Sequence, residues 1–282
     1  LLFELRQGET VTHFFEEETR VTRVDEGRFE AQFHDRWGIA GGTPNGGYLM
    51  SIAARALQET LDHPHPLTIT GHYFKRSEAG PVTVETEKLG RSFTTSTGFA
   101  RLIQDGVQRT HFTATYTDFD HAAGQTVVHA TPPELPDPDD CVPHPFRDGL
   151  APTFQRDIDM RFHPDNMGWA ERTPHGVGEM AGYIRFSDGQ DPDLFSTLLF
   201  ADAVPPAVFN VVGAAGWVPT IELTTHLRNR PRPGWLRFRF TTRMLTRGFF
   251  EEDGEIWDSE NRLIADSRQI QKLMVPRKET AE

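Results

Sequence analysis

Few side chains in this chain are spaced for familiar chemistry. There is one cysteine, Cys141, so neither an intramolecular disulfide nor a cysteine-only metal site can form. His63-Pro64-His65 and the other histidines lack the spacing to cysteine that a structural zinc needs. A Gly-rich phosphate loop closed by Lys-Ser/Thr is missing, and so is His-Glu-x-x-His. Gly-x-Ser-x-Gly is absent, which counts against an α/β-hydrolase. No cofactor and no metal is implied. One cluster does gather charge. Lys75 and Arg76, and again Arg228, Arg230 and Arg232, stand at strand ends, where they would suit a phosphate-bearing tail or simply guard an edge.

Such residues need elements to hold them, and composition bounds what those are. The 282 residues correspond to about two ordinary domains of ~150 residues. Hydrophobic residues make up 37% and charged residues 25%, enough to bury a full core in a globular protein. The net charge of −12 argues against nucleic acid or an anionic membrane as partner, since either requires a positive field. No apolar run reaches the roughly 18 residues of a membrane span. Residues 1–18 are too charged for a secretory signal. A single cysteine fits a reducing, cytoplasmic compartment.

From about His121 the chain is dense in proline, with Pro132, Pro133, Pro136, Pro138, Pro143, Pro145 and Pro152. Proline donates to no ladder, so this reads as a linker over 121–155 between domains at 1–120 and 156–282, or else as a long surface loop. The flanking halves look alike. Tyr48, Leu49, Ile52, Ala53, Ala56, Leu57 and Leu61 recur at helical steps behind Pro44-Asn45-Gly46-Gly47, a natural helix start. Leu194–Val212 is apolar but broken by Pro205 and Pro206, which predicts a helix ending near Ala203 and a short one starting at the prolines. Val82–Glu87 and Leu236–Phe240 alternate with period two, as half-buried strands do. Residues 67–80 write over 221–234 without a gap, placing Ile69 on Leu223, Thr70 on Thr224 and His72 on His226. A fixed offset of this kind predicts an internal repeat of α+β class, in which each sheet wraps a central helix and the two sheets join edge to edge.

Trp37-Gly38-Ile39, Pro44–Leu49, Ala201–Pro206, Trp217–Thr224, Gly254–Asp258, Leu263-Ile264-Ala265 and Gln269 together resemble the thioesterase-like superfamily, close to the type II acyl-CoA thioesterases with a double hotdog. The resemblance runs from Phe33 to Val275 apart from the linker. It implies hydrolysis of acyl-CoA to free acid and CoA, as in fatty acid metabolism, by an activated water. It also implies a trio that here falls on Asp202, Thr220 and Gln269: a carboxylate to take the proton of the water, with hydroxyl and amide to orient it. Asn45, Gly46 and Gly47 would meet the substrate, the glycines by close approach and backbone N–H groups at the helix start as donors to the carbonyl oxygen. Structural readings stand beside these. Asp202 could cap the turn before Pro205, Thr220 could merely open a strand, and Asn45 lies in ordinary turn chemistry. Thr224 and Gln271 share strand parity with Thr220 and Gln269, so parity selects neither member of either pair. The chain departs from the pattern twice. Residues 47–55 hold no acid, which points to the second half as its source, and histidine occurs at His72 where the family has it one residue earlier. A homo-oligomer, a dimer of double hotdogs, is expected. A silent acyl-CoA- or lipid-binding protein and a hotdog hydratase or dehydratase are the alternative readings.

Overall fold

The computed structural model describes residues 13–39, 41–145, 152–214 and 218–274. Trp217, Val275, the first twelve residues and residues 146–151 of the expected linker lie outside them. The first half runs α1 (Phe14–Glu18), β1 (Thr22–Asp25), β2 (Arg28–Phe33), α2 (Gly46–Gln58), β3 (His65–Tyr73), β4 (Gly80–Arg91), β5 (Thr95–Gln104) and β6 (Val107–Thr117). The second runs β7 (Val142–Pro143), β8 (Ile158–Phe162), α3 (Gly168–Glu171), β9 (Glu179–Phe186), α4 (Leu194–Phe200) and α5 (Phe209–Val212). It continues with β10 (Thr220–Leu227), β11 (Leu236–Thr241), β12 (Leu245–Thr246), β13 (Phe249–Trp257) and β14 (Leu263–Lys272). Within the segment expected as linker, β7 pairs with β8 and Phe154 is buried in the core.

All strand pairs are antiparallel, and they form one sheet in the order β1-β2-β4-β5-β6-β3-β10-β14-β13-β11-β9-β8-β7, with β12 beside β13. The order on one side of the β3–β10 seam mirrors the order on the other. At the seam Thr70 pairs with Thr224, Ile69 with Thr225 and Gly71 with Leu223. Thr70 and Thr224 are also the residues that the repeat superimposes. A residue paired with its own counterpart lies on a local two-fold axis, and the two hydroxyls hydrogen-bond there at 2.9 Å. The two halves therefore meet as a symmetric dimer would, and each covers the other's open edge.

Helix α2 forms because Asn45 caps it, its Oδ1 accepting the Tyr48 N–H at 3.0 Å. The helix is buried on nearly every side, since the sheet wraps one face and α4 covers the other. Helix α4 begins in a capping box, with Asp193 Oδ1 accepting from Ser196 N and Ser196 Oγ accepting from Asp193 N. It stops at Phe200, earlier than the sequence suggests, and α5 starts at Phe209 rather than at the prolines. The residue before a proline is steered out of helical conformation, so residues 201–204 form a turn ahead of Pro205. An aromatic cluster joins the halves: Phe15 meets Trp37 at 5.3 Å and Phe186 at 5.2 Å, and Phe186 meets Phe200 at 4.9 Å between ring centres.

The two central helices cross at Gly47. A Cβ there would lie 2.4 Å from the Leu198 carbonyl oxygen and 2.9 Å from the Leu199 Cα, both backbone atoms. Ser51 Oγ, one turn on, donates to the Phe195 carbonyl at 2.8 Å across the same contact. Gly47→Ala must push the helices apart and is expected to cost about 1–3 kcal/mol in urea unfolding. Gly90→Ala, with nothing within 4 Å of its Cβ position, is the comparison and should shift stability by less than about 0.5 kcal/mol. Equal effects at the two sites would refute the close crossing.

Candidate functional site

The turn between α4 and α5 carries Asp202 to the N-terminus of α2, so an acid from the second half meets a helix start from the first. Asp202 Oδ2 accepts from the Gly47 N–H at 3.0 Å and from Asn45 Nδ2 at 3.1 Å. Asn45 Nδ2 also donates to the Asp202 carbonyl at 2.8 Å. The glycines make room for this contact. A Cβ on Gly46 would fall 2.8 Å from Asp202 Oδ2, and one on Gly47 would strike α4. Their missing side chains thus admit the acid and the second helix. The first N–H groups of α2, expected to face a carbonyl oxygen, hold the Asp202 carboxylate instead. Burial raises this carboxyl from 3.8 to about 6, while bonds from Gly47, Gly46, Asn45 and the Thr220 hydroxyl pull it back down.

Thr220 opens β10 at a bulge. The ladder to β14 shifts register between Thr220 and Glu222. Under strict alternation Thr220 would share the outer face with Glu222 and Thr224. The extra residue turns it inward and leaves Ile221 exposed. Thr220 Oγ1 then lies 3.2 Å from Gln269 Oε1, with one proton to share between that amide and Asp202, and lines the cavity with Asp202. Thr224 is held at the seam, donating to Glu222 Oε1 at 2.6 Å and bonded to Thr70, away from the cavity. Gln269 and Gln271 both point inward and both line the cavity. They differ in partners: Gln269 bonds Thr220 and Glu252, whereas Gln271 Oε1 is buried without a hydrogen bond.

Glu252 is the residue that sequence reasoning missed. Its side chain is 2% exposed. Oε1 accepts from Gln269 Nε2 at 2.9 Å, and Oε2 accepts from the Ala207 N–H at 2.6 Å, just past the two prolines. Burial, and to a lesser extent the charges of Asp202 and Asp253, push its carboxyl from 4.5 to about 8, against the pull of the two N–H donors. A signal was present, because Glu252 has the parity of the inward residues Phe250, Gly254 and Ile256 in β13. Thr220, Gln269 and Glu252 form one hydrogen-bonded line, and Thr220 ends it beside Asp202, whose carboxyl its hydroxyl pulls down.

The cavity beside them measures about 1370 Å³. Asn45, Gly46 and Tyr73 border it on the first-half side, and Phe154, Trp169 and Phe209 give it an apolar wall. Tyr73 donates to the Gly46 carbonyl at 3.0 Å, and burial holds its phenol well above the ordinary range, so it stays neutral. Burial lowers His144, also on the wall, to about 4 and keeps it uncharged at neutral pH. Lys75 and Arg76 reach the cavity rim, but the other basic residues at the strand ends do not. Arg228 is tied to Asp266, Arg230 to Asp120 and Arg232 to Glu260, so the expected five-residue rim is reduced to two of its members. His72 is exposed and His226 half-buried in β10, and neither lines the cavity. Among the described residues no His, Cys, Asp and Glu group could hold a metal, and no helix is long and apolar enough to cross a membrane.

Residues 33–117 match the acyl-CoA thioesterase N-terminal domain, and residues 138–271 match the acyl-CoA thioesterase C-terminal domain. The chain belongs to the acyl-CoA thioesterase family. A crystal structure described as a candidate thioesterase II from Thermobifida fusca is 32% identical, with a TM-score of 0.86 over 95% of this chain and 100% of that one. A protein of unknown function with the hot dog fold from Alicyclobacillus acidocaldarius superimposes at a TM-score of 0.83 over 94% and 100% of the two chains, at 19% identity. The sheet wrapped around paired helices is thus a double hotdog of this family. An uncharacterised protein of Mycobacterium tuberculosis is 38% identical over 88 residues, a match that spans 31% of this acyl-CoA thioesterase family member and only 29% of the relative.

The raised Glu252 carboxyl has a consequence for stability. Between its ordinary 4.5 and about 8, the folded chain holds a proton that the unfolded chain has released. Stability must then fall as pH rises through that window and level off above it. Glu252→Gln removes this proton uptake. The drop in Tm between pH 5 and pH 8 is expected to be smaller in the variant than in the parent. Parallel Tm curves would mean that Glu252 ionises normally in the fold.

Proposed function

We propose that this family member hydrolyses acyl-CoA thioesters by direct attack of water, with Asp202 as general base. The observation that carries the reading is the placement of Asp202. It is a carboxylate shielded enough to titrate near 6, held by the N-terminus of α2, within reach of Thr220 and facing a large cavity with an apolar wall. A base with that affinity is ionised at neutral pH yet still basic enough to take a proton from water.

In the proposed step a water beside Thr220 and Gln269 gives a proton to Asp202 as its oxygen bonds to the thioester carbon. The tetrahedral intermediate then collapses with cleavage of the C–S bond. The CoA thiolate leaves and recovers the proton from Asp202, and the free acid departs. Thr220 and Gln269 supply orientation, which can account for much of the lowering of the barrier. Lys75 and Arg76 at the rim suit the phosphates of CoA, and Phe154, Trp169 and Phe209 suit an apolar acyl group.

Release of free thiol from a panel of acyl-CoAs, short to long, branched and aromatic, tests this directly. Turnover with an optimum across the panel supports hydrolysis. Tight binding without release would favour a silent acyl-CoA-binding protein. Asp202→Asn is expected to lower kcat by about 10²–10⁴-fold. Because Asp202 must be ionised to act, kcat/KM should rise with pH through about 6 and this limb should vanish in the variant. Full activity of Asp202→Asn would remove Asp202 from the role.

A further inference from the structure

We propose that Glu252 is the positioning residue of this site, setting which end of the Gln269 amide faces Thr220. The inference rests on the hydrolytic reading for its kinetic test but not for its geometry. Glu252 sits behind Gln269 on the side away from the cavity and does not line it. Its two oxygens join two separate parts of the site. Oε2 takes the Ala207 N–H of the turn that also bears Asp202, and Oε1 takes the Gln269 amide on β14. Gln269 in turn reaches Thr220, and Thr220 reaches Asp202.

The polarity of this line has two self-consistent forms. An amide presents an acceptor at one end and a donor at the other, and a threonine hydroxyl carries a single proton. With Glu252 ionised, both of its oxygens only accept. Gln269 must turn Nε2 toward it and Oε1 toward Thr220, the orientation in which its amide is placed here, and the Thr220 proton is then spent on Gln269 and withheld from Asp202. With Glu252 protonated, its O–H donates to Gln269 Oε1. Gln269 Nε2 then donates to Thr220 Oγ1, and the Thr220 proton is free to reach the Asp202 carboxylate. Every donor in this second form points toward the base. The heavy atoms keep the same places in both forms, because amide oxygen and nitrogen exchange by a half-turn.

The surroundings favour the protonated form at neutral pH. Burial is the main cause that pushes the carboxyl up to about 8, and Asp202 adds to it from the turn after α4. Asp253, its neighbour on β13, also adds to it, while its own side chain is bound to Arg268 and Arg243. None of the groups that shift Glu252 is a cation. Productive polarity therefore needs Asp202 ionised and Glu252 neutral, which bounds activity between about 6 and about 8.

Two variants separate positioning from mere packing. In Glu252→Gln the Ala207 N–H claims the new amide oxygen, so the new NH₂ must face Gln269 and holds the productive polarity at every pH. The alkaline decline of kcat near 8, present in the parent, is expected to disappear. Glu252→Met keeps the bulk but neither hydrogen bond, and kcat should fall by about tenfold or more with KM changed less than about twofold. An unchanged alkaline limb in Glu252→Gln, or a loss confined to KM in Glu252→Met, would overturn the proposal. A second readout does not depend on turnover. The side-chain amide signals of Gln269 in ¹H–¹⁵N NMR, assigned by their loss in Gln269→Ala, should move with a midpoint near 8 in the parent and stay fixed in Glu252→Gln. If no acyl-CoA turns over but these signals titrate, the hydrolytic reading fails and the positioning role stands. If the parent signals do not titrate, the positioning role fails whatever the activity.

Discussion

The carboxylate of Asp202 belongs to one half of the chain and the helix end that holds it belongs to the other. The first turn of a helix carries unpaired N–H groups and roughly half a positive charge. A buried carboxylate needs just such donors, because its desolvation is otherwise costly. The Gly47 N–H and the Asn45 amide therefore bind Asp202 and stitch the halves together at one point. Much else follows from this contact. Positions 46 and 47 can carry no side chain, α4 must end before Asp202, and the prolines must turn the chain back so that Ala207 can reach Glu252.

The two-fold axis at the β3–β10 seam shows how far the second half has diverged for this purpose. Matching register across the axis sets Pro66 against Thr220, since both stand at a ladder shift next to the seam. Thr113 and Arg268 pair with the two axis threonines, which sets Ala114 against Gln269. One strand further, Phe99 and Asp253 correspond, so Gly98 answers Glu252. Threonine, glutamine and glutamate in the second half thus face proline, alanine and glycine in the first. The backbone device is kept in both halves, including the bulge, while the polar line is built in only one of them.

Much of the scaffold was legible in the sequence because it rests on periods. The helical steps from Tyr48, the alternation in Val82–Glu87 and Leu236–Phe240, and the offset that overlays Thr70 on Thr224 are repeating signals, and the elements appear where these place them, except that α2 ends at Gln58 and leaves Leu61 in the turn beyond it. The site depends on breaks in period, which local patterns do not carry. Thr220 and Thr224 share parity in the sequence but opposite faces in the fold, because a bulge lies between them. Gln269 and Gln271 share a face in fact, and only their partners distinguish them. Glu252 was visible as an inward charge on a strand, yet its reason for being there is Ala207, 45 positions away. The cavity wall joins Phe154, Trp169 and Phe209 from three separate segments, and no single stretch announces it.

The choice of glutamine at position 269 follows from what stands on either side of it. One neighbour, Glu252, is a carboxyl buried to the point of holding its proton near neutrality, and the other, Thr220, is a hydroxyl beside the buried Asp202 carboxyl. A glutamate in the middle would put a third carboxylate between two, of which Asp202 already raises the proton affinity of Glu252. A leucine of similar size would strand the Glu252 oxygen and the Thr220 hydroxyl without partners, at about 1–3 kcal/mol each. Asparagine has the same amide but is one methylene shorter, too short for a line whose links measure 2.9 and 3.2 Å. Among the side chains compared, only glutamine spans the gap, carries no charge, and offers a donor at one end with an acceptor at the other. Two carboxyls whose environments push them to about 6 and about 8 can then stay in different protonation states while remaining connected through neutral groups.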